Sequence, residues 1–238
     1  MDTRSKFDIL GIKIDDFSKK ETLEKIKIFL SEPKFHQIAT INPEFIMEAQ
    51  KNQEFRNILN SCDLNIADGM GIKFAFWRYG RHLKCRIAGA DLMEKIIRLA
   101  NKEKLSIFLA AKKDGLSTWE ETRNAIAKFY PNLIVDGDDI DTKDSAYQIM
   151  SSSCQIVFCN FGAPYQETFI ARQNNDRIRL AMGVGGSFDF LTGYVRRAPC
   201  FWRLMGLEWL WRLILQPKRL KRIWNAVVVF PIKIILNR

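Results

Sequence analysis

Several patterns that would announce a chemistry outright are missing from this chain. Histidine occurs only as His36 and His82, with no partner at metal-ligand spacing, so neither supports a metal centre or a histidine-activated nucleophile. The five cysteines (Cys62, Cys85, Cys154, Cys159 and Cys200) are odd in number and contain no CxxC pair, which argues against a disulfide framework or a zinc site. A reducing cytosol, with the thiols acting as small apolar side chains, is the simplest reading. Neither GxGxxG nor GxxxxGK[ST] is present, which removes the dinucleotide and P-loop patterns. The longest apolar run near the end, Ala226 to Leu236, is broken by Pro231 and Lys233 and is too short to span a bilayer. The opening MDTRSKFDIL holds no apolar h-region and predicts no signal peptide.

Acidic residues are scarce in one region only. From Arg196 onward ten Lys/Arg accompany a single acid, Glu208, so nearly all of the formal charge of +10 sits there. Four of the six tryptophans (Trp202, Trp209, Trp211 and Trp224) fall in the same stretch, making the basic surface local and aromatic. Elsewhere, 238 residues with 47% hydrophobic and 27% charged side chains describe a folded chain with a sizeable core.

Short β-branched or aromatic runs alternate with amphipathic stretches. Strands are expected at Phe7–Ile14, His36–Ile41, Leu64–Ala67, Ser106–Ala110, Leu133–Asp136, Gln155–Asn160 and Arg179–Val184. Helices are expected at Lys19–Leu30, Glu44–Lys51, Glu54–Ser61, Gly71–Tyr79, Ala90–Lys102, Ser117–Phe129, Lys143–Ser151 and Pro164–Asn174. This rhythm predicts an α/β fold: a Rossmann-like, mostly parallel sheet with helices on both faces, over residues 1–195. Residues 196–238 then form a basic, tryptophan-rich helical appendage. From Pro217, Leu220, Ile223, Trp224, Val227 and Val228 recur at helical spacing with Lys218, Arg219, Lys221 and Arg222 on other faces, a pattern suited to an anionic membrane surface. The plainer alternative is a terminal helix that packs on the core.

In parallel sheets ligands bind beyond the carboxyl ends of the strands. Those ends carry Thr40-Ile41-Asn42-Pro43, Asp68-Gly69-Met70-Gly71, Gly162-Ala163-Pro164-Tyr165-Gln166-Glu167 and Gly183-Val184-Gly185-Gly186-Ser187-Phe188-Asp189. With Arg86-x-x-Gly89-x-Asp91-Leu92, Arg197-Ala198-Pro199, Gly206-Leu207-Glu208-Trp209-x-x-Arg212-Leu213 and Pro217-x-Arg219-x-x-Arg222, these ordered motifs resemble the WecG/TagA/CpsF glycosyltransferase family over roughly residues 6–225. The resemblance implies a metal-independent, inverting transfer of N-acetylmannosamine, its uronate or a similar hexose from a UDP donor. The acceptor it implies is an undecaprenyl-diphosphate-linked saccharide, used in cell-surface polysaccharide or teichoic acid synthesis. No cofactor is implied. The enzyme would be cytoplasmic and peripheral on the inner face of the plasma membrane, and a homo-oligomer is left open.

By the same resemblance Asp68 is the catalytic base, Thr40, Asn42 and Arg86 line the active site, and Gln166 and Asp189 lie on the donor side. Gly162, Gly185 and Gly186 allow close backbone approach to the donor. Arg212, Arg219 and Arg222 are placed to contact diphosphate. An inverting transfer needs one carboxylate to take the acceptor proton and cationic groups to hold the leaving diphosphate. On residues alone, Asp68-Gly69 reads first as a turn-forming dipeptide, and the surrounding motifs reverse that preference. The tripeptide Asp139-Ile140-Asp141 resembles a cation-chelating DxD, but between a strand and a helix it reads better as capping carboxylates. The chain departs from the family pattern at Ala110-Ala111, at Tyr165 and at Gly137-Asp138-Asp139, where glycines, a lysine and a glycine-aromatic pair are usual, so sugar and base recognition follow less directly than reaction type. Two other readings of the charge distribution are a nucleic-acid-binding module using the basic tail and a catalytically silent membrane adaptor.

Overall fold

A computed structural model describes residues 6–150, 154–173, 175, 177–217 and 220–237. Within these described residues eight strands, β1 (Lys6–Ile9), β2 (Ile12–Asp15), β3 (His36–Ile41), β4 (Leu64–Ala67), β5 (Ile107–Lys112), β6 (Val135–Ile140), β7 (Ile156–Cys159) and β8 (Leu180–Gly183), form one sheet in the order β1-β2-β4-β3-β8-β7-β5-β6. Only β1 and β2 pair antiparallel; every other neighbouring pair is parallel. Strands β3, β4, β7 and β8 are buried at every position, which is why their sequences run apolar without alternation.

Among the described residues twelve α-helices accompany the sheet: α1 (Lys19–Ser31), α2 (Pro43–Ala49), α3 (Gln53–Ser61), α4 (Met70–Arg78), α5 (Gly89–Glu103), α6 (Trp119–Ala127), α7 (Tyr165–Ala171), α8 (Ser187–Thr192), α9 (Cys200–Leu204), α10 (Glu208–Leu215), α11 (Leu220–Trp224) and α12 (Phe230–Leu236). Capping boxes Ser18/Glu21 and Thr118/Glu121 start α1 and α6, and the side chains of Asn42 and Asn52 cap α2 and α3. On one face, Ile26 and Phe29 of α1, Ile96 and Ile97 of α5, and Phe188 of α8 pack on Ile38, Ile66, Phe158 and Met182. On the other, Phe45, Phe55 and Phe76 of α2, α3 and α4 pack on Ala39, Ile41 and Ala67, while Ile170 of α7 lies against Val157 and Ala181. His36 is buried, stacked on Phe29 at 4.0 Å and bonded through Nε2 to Glu32.

Three expectations change. The single strand at Phe7–Ile14 is a hairpin, because Leu10 and Gly11 both take left-handed φ (53° and 81°) and turn the chain back. The strand expected to end at Asp136 continues to Ile140, so Asp139 and Ile140 belong to β6 at the sheet edge. No helix forms over residues 143–150: the carboxylates of Asp141 and Asp144 bind the N–H groups of Lys143 and Ala146 two residues on, holding local turns instead. Ser151 and Asn174, the expected ends of two helices, lie outside the described residues.

The C-terminal helices run back across the sheet's upper end. A π-helical turn, Asn225–Val229, joins α11 to α12 just before Pro231. Proline has no N–H and crowds the carbonyl four residues earlier, and the wider turn relieves that conflict. Ile223, Phe230 and Ile234 are buried, the latter two within the cluster of α2 and α4, whereas Leu220 and Trp224 of the expected apolar stripe are exposed. Helix α10 contributes no buried residue at all. No helix among the described residues is long and apolar enough to cross a membrane.

Candidate active site

The carboxyl ends of β3, β4, β5, β7 and β8 open into one cleft of about 630 Å³, closed on its far side by α10, α11 and the π turn. Its position, where β3 meets β8 and the chain's connections diverge, is where open α/β sheets bind ligands, and its volume suits a molecule of nucleotide-sugar size. Thr40, Asn42, Asp68, Arg86, Gly162, Gln166, Gly185, Gly186, Asp189, Arg212 and Arg222 all line it. Arg219 lies outside the described residues.

Asp68 follows the last residue of β4. Its backbone N–H donates to the Ile41 carbonyl at 2.7 Å, and its Oδ2 accepts from the N–H of Gly89, in the first turn of α5, at 3.3 Å. The carboxylate keeps an edge open to the cleft although protein crowds its other sides. That crowding, reinforced by the negative charge of Glu208, raises the carboxyl to about 6 against the pull of the Gly89 N–H, Arg86 and Arg212. Such a group is ionised at neutral pH yet basic enough to take a proton, the combination general base chemistry favours. The segment that carries Arg86 is pinned beside β4 by the Ile87 N–H to the Ala67 carbonyl at 3.1 Å. Arg86 itself donates from Nη2 to the carbonyl of Arg203, in the last turn of α9, at 3.2 Å. A cation there complements the carbonyl end of a helix and ties the pocket to the C-terminal helices.

Thr40, near the end of β3, is buried with its hydroxyl against Gly89. Asn42 caps α2: its Oδ1 accepts from the Phe45 N–H at 3.1 Å, which turns the NH₂ end of the amide toward the cleft as its remaining polar group.

Across the cleft, Gln166 is almost fully buried. Its Oε1 accepts from both Gly162 N–H and Gly185 N–H at 3.0 Å, and its Nε2 donates to Glu167 Oε1 at 2.6 Å. The amides of Gly162 and Gly185 are therefore taken by Gln166 and are not open donors. Asp189 accepts through Oδ1 from the buried Ser117 hydroxyl at 2.8 Å, which is itself 2.9 Å from the Thr192 hydroxyl.

On the helical side, Arg222 binds Glu44 Oε2 through Nε and Nη2, and Arg212 Nη2 lies 3.5 Å from Glu208 Oε1 and over the Phe190 ring. Arg197 Nη2 is 2.6 Å from Asp91 Oδ1, close enough for an ion pair although its N–H does not point along that line. Sequence reasoning did not single out Glu44, Ser117 or the pairing role of Asp91, because their partners lie far along the chain. Glu208 was visible only as the lone acid of a basic tail. Asp139 is absent from the cleft lining; its Oδ1 accepts from the Trp119 N–H at the start of α6, and Asp141 accepts from the Lys143 N–H, so both are bonded to backbone.

Comparison with known proteins agrees with this geometry. Residues 7–238 match the glycosyl transferase WecG/TagA/CpsF family. A relative from Bacillus subtilis (strain 168), named N-acetylglucosaminyldiphosphoundecaprenol N-acetyl-beta-D-mannosaminyltransferase, is 36% identical over 191 residues, covering 78% of this chain and 73% of its own. Proteins of the same name from Bacillus spizizenii (strain ATCC 23059 / NRRL B-14472 / W23), 34% identical over 82% of this chain and 77% of theirs, and from Staphylococcus aureus (strain MRSA252), 28% identical over 97% and 92%, are also similar. With the family matched along nearly the whole chain and its motif residues gathered around one cleft, this protein belongs to the WecG/TagA/CpsF glycosyltransferase family and is a hexosyltransferase.

Proposed function

We propose that the protein transfers N-acetylmannosamine, or a closely related hexose, from a UDP donor to a lipid-linked N-acetylglucosamine diphosphate, inverting the anomeric centre without a metal ion. The observation that carries this reading is Asp68, held through one oxygen by the Gly89 N–H at the floor of the cleft, with Arg86 and Arg212 beside it and a carboxyl at about 6. In the step, Asp68 takes the proton of the acceptor hydroxyl as that oxygen attacks the anomeric carbon. The bond from that carbon to the diphosphate oxygen breaks, and its electron pair leaves with UDP. Arg86, Arg212, Arg219 and Arg222 meet the developing diphosphate charge, which fixed cations stabilise most in a cleft shielded from water. Thr40 and the Asn42 amide orient the acceptor, and Asp189, with Ser117 fixing one oxygen, serves the donor side.

Residues 196–238 are proposed as a membrane-associating unit that completes the cleft at the inner face of the plasma membrane. The support is an apolar outer surface, with Phe201, Ile214, Leu220 and Trp224 each more than half exposed, among Lys221, Arg222 and Lys233. The relatives' names supply the acceptor, N-acetylglucosaminyldiphosphoundecaprenol, and the sugar. The test is turnover of UDP-N-acetylmannosamine on a synthetic polyprenyl-diphosphate N-acetylglucosamine in EDTA, read by product mass and anomeric configuration. Disaccharide-lipid with the inverted anomer is expected; no product, or product only after a divalent cation is restored, overturns the reading.

A further inference from the structure

We propose that Gln166 and Glu167 are a coupled positioning pair: the buried Glu167 carboxyl holds the Gln166 amide, whose single oxygen ties together the two loops that form one wall of the cleft. Gly162 follows β7 and Gly185 follows β8, and their N–H groups donate to the same atom, Gln166 Oε1, at 3.0 Å each. A primary amide can rotate so that its NH₂ replaces its oxygen, and with NH₂ facing two N–H donors the tie is lost. Glu167 prevents that rotation by accepting from Nε2 at 2.6 Å. The pair passes directly beneath β8: a Cβ on Gly183 would lie 2.3 Å from Gln166 Nε2 and 2.5 Å from Glu167 Oε1, so the strand can come this close only as glycine.

Glu167 has no exposure and its Oε2 has no hydrogen-bond partner. Burial raises its carboxyl to about 8, opposed by the Gln166 amide and by its own backbone N–H. The titratable groups that feel it are the thiols of Cys62, at the end of α3, and Cys159, in β7, and burial raises both so that they stay neutral. From β3, Gln37 Nε2 donates to the Glu167 backbone carbonyl at 3.2 Å. At neutral pH Glu167 is therefore mainly an uncharged acceptor. Above pH 8 it becomes a buried anion under the wall that lines the cleft, repelling a bound diphosphate where the dielectric is low.

The binding consequence rests on the diphosphate-donor reading; the tie between the loops does not. Two measurements separate them. In the first, UDP binding is titrated by calorimetry at pH 7 and pH 9 with wild type and Glu167→Gln, which keeps an amide oxygen for Gln166 but cannot ionise. Wild type is expected to weaken on the order of ten-fold more than Glu167→Gln over this range; deprotonation of the uracil ring is common to both and cancels. An equal fall in both proteins overturns the charge argument. In the second, hydrogen exchange of the Gly162 and Gly185 amides is followed in wild type, Glu167→Gln and Glu167→Met. Both amides are expected to exchange about ten-fold faster in Glu167→Met, together, and at near wild-type rates in Glu167→Gln. Unchanged protection in Glu167→Met, or faster exchange at only one glycine, overturns the positioning role. Should Glu167→Met fail to fold, Gln166→Met is read by the same two amides. If neither wild type nor Glu167→Gln binds UDP, the donor reading fails and the exchange measurement still decides the pair's role.

Discussion

The cleft has two walls held by different means. On the strand side the central groups are fixed by backbone N–H donors: Asp68 by Gly89, Asn42 by Phe45, Gln166 by Gly162 and Gly185. On the helical side the arginines are held by carboxylates at part-exposed ion pairs, Arg222 by Glu44 and Arg212 by Glu208. Backbone hydrogen bonds in a buried setting hold geometry to fractions of an ångström. Part-exposed ion pairs are worth only about 0.2–1 kcal/mol and exchange partners easily. The strand wall is thus suited to fixing the reacting atoms, and the helical wall to handing its cations from a protein carboxylate to an incoming diphosphate.

The largest effect expected from this contrast is on the strand side. Asp68→Asn keeps the shape and the Gly89 contact but cannot accept the proton, and should lower kcat by roughly 100 to 10,000-fold. Its thermal midpoint should hold or rise, since a carboxyl raised to about 6 costs folded-state stability as it ionises between its ordinary range and pH 6. An unchanged kcat breaks the comparison at its centre. Next is Phe230→Ala, which empties the buried anchor of α12. Urea unfolding should report a loss of about 3–5 kcal/mol; a loss under 1 kcal/mol would show the helical wall to be merely apposed.

Smaller effects belong to the exchangeable pairs. Arg222→Ala or Arg212→Ala should raise KM for the lipid diphosphate by about ten-fold with stability nearly unchanged. The defect should shrink as salt is added, because screening weakens the wild-type contact as well. The smallest is a shift in pH dependence. Activity should rise with pH through about 6 as Asp68 ionises, and Glu208→Gln, by removing a negative neighbour, should move that limb to lower pH. A shift to higher pH would mean that Glu208 acts mainly by holding Arg212 in place.

The strand wall was also the more legible in sequence. Apolar runs ended by Asn42-Pro43, Asp68-Gly69, Gly162 and Gly183-Val184-Gly185-Gly186 place the site once a parallel sheet is inferred, because such sheets bind ligands at those ends. What the residues did not reveal depends on contacts distant in the chain. Glu44 and Arg222 meet only because the π-helical turn after α11 packs on α2, and nothing near Asp91 announces Arg197. Two local misreadings had local causes. Leu10-Gly11 lacks the Asn-Gly signature of a tight hairpin, and the aspartates at 141 and 144, apt first-turn residues for a helix, instead turn back on their own backbone. The C-terminal helix divided both readings offered for it: Phe230 and Ile234 pack on the core, while Leu220 and Trp224 remain outside.

The acidic edge strand has a consequence for solubility. Among the described residues β6 pairs with β5 alone, leaving on its other side a row of backbone donors and acceptors of the kind onto which another strand adds. Asp136 and Asp138 are both exposed along that strand. A second copy aligned edge to edge would bring these carboxylates against their counterparts, and like charges facing across a ladder oppose pairing. Among the described residues this edge is therefore guarded by repulsion rather than by a covering element. Replacing Asp136 and Asp138 by asparagine removes that guard and opens the same strand to edge-to-edge addition.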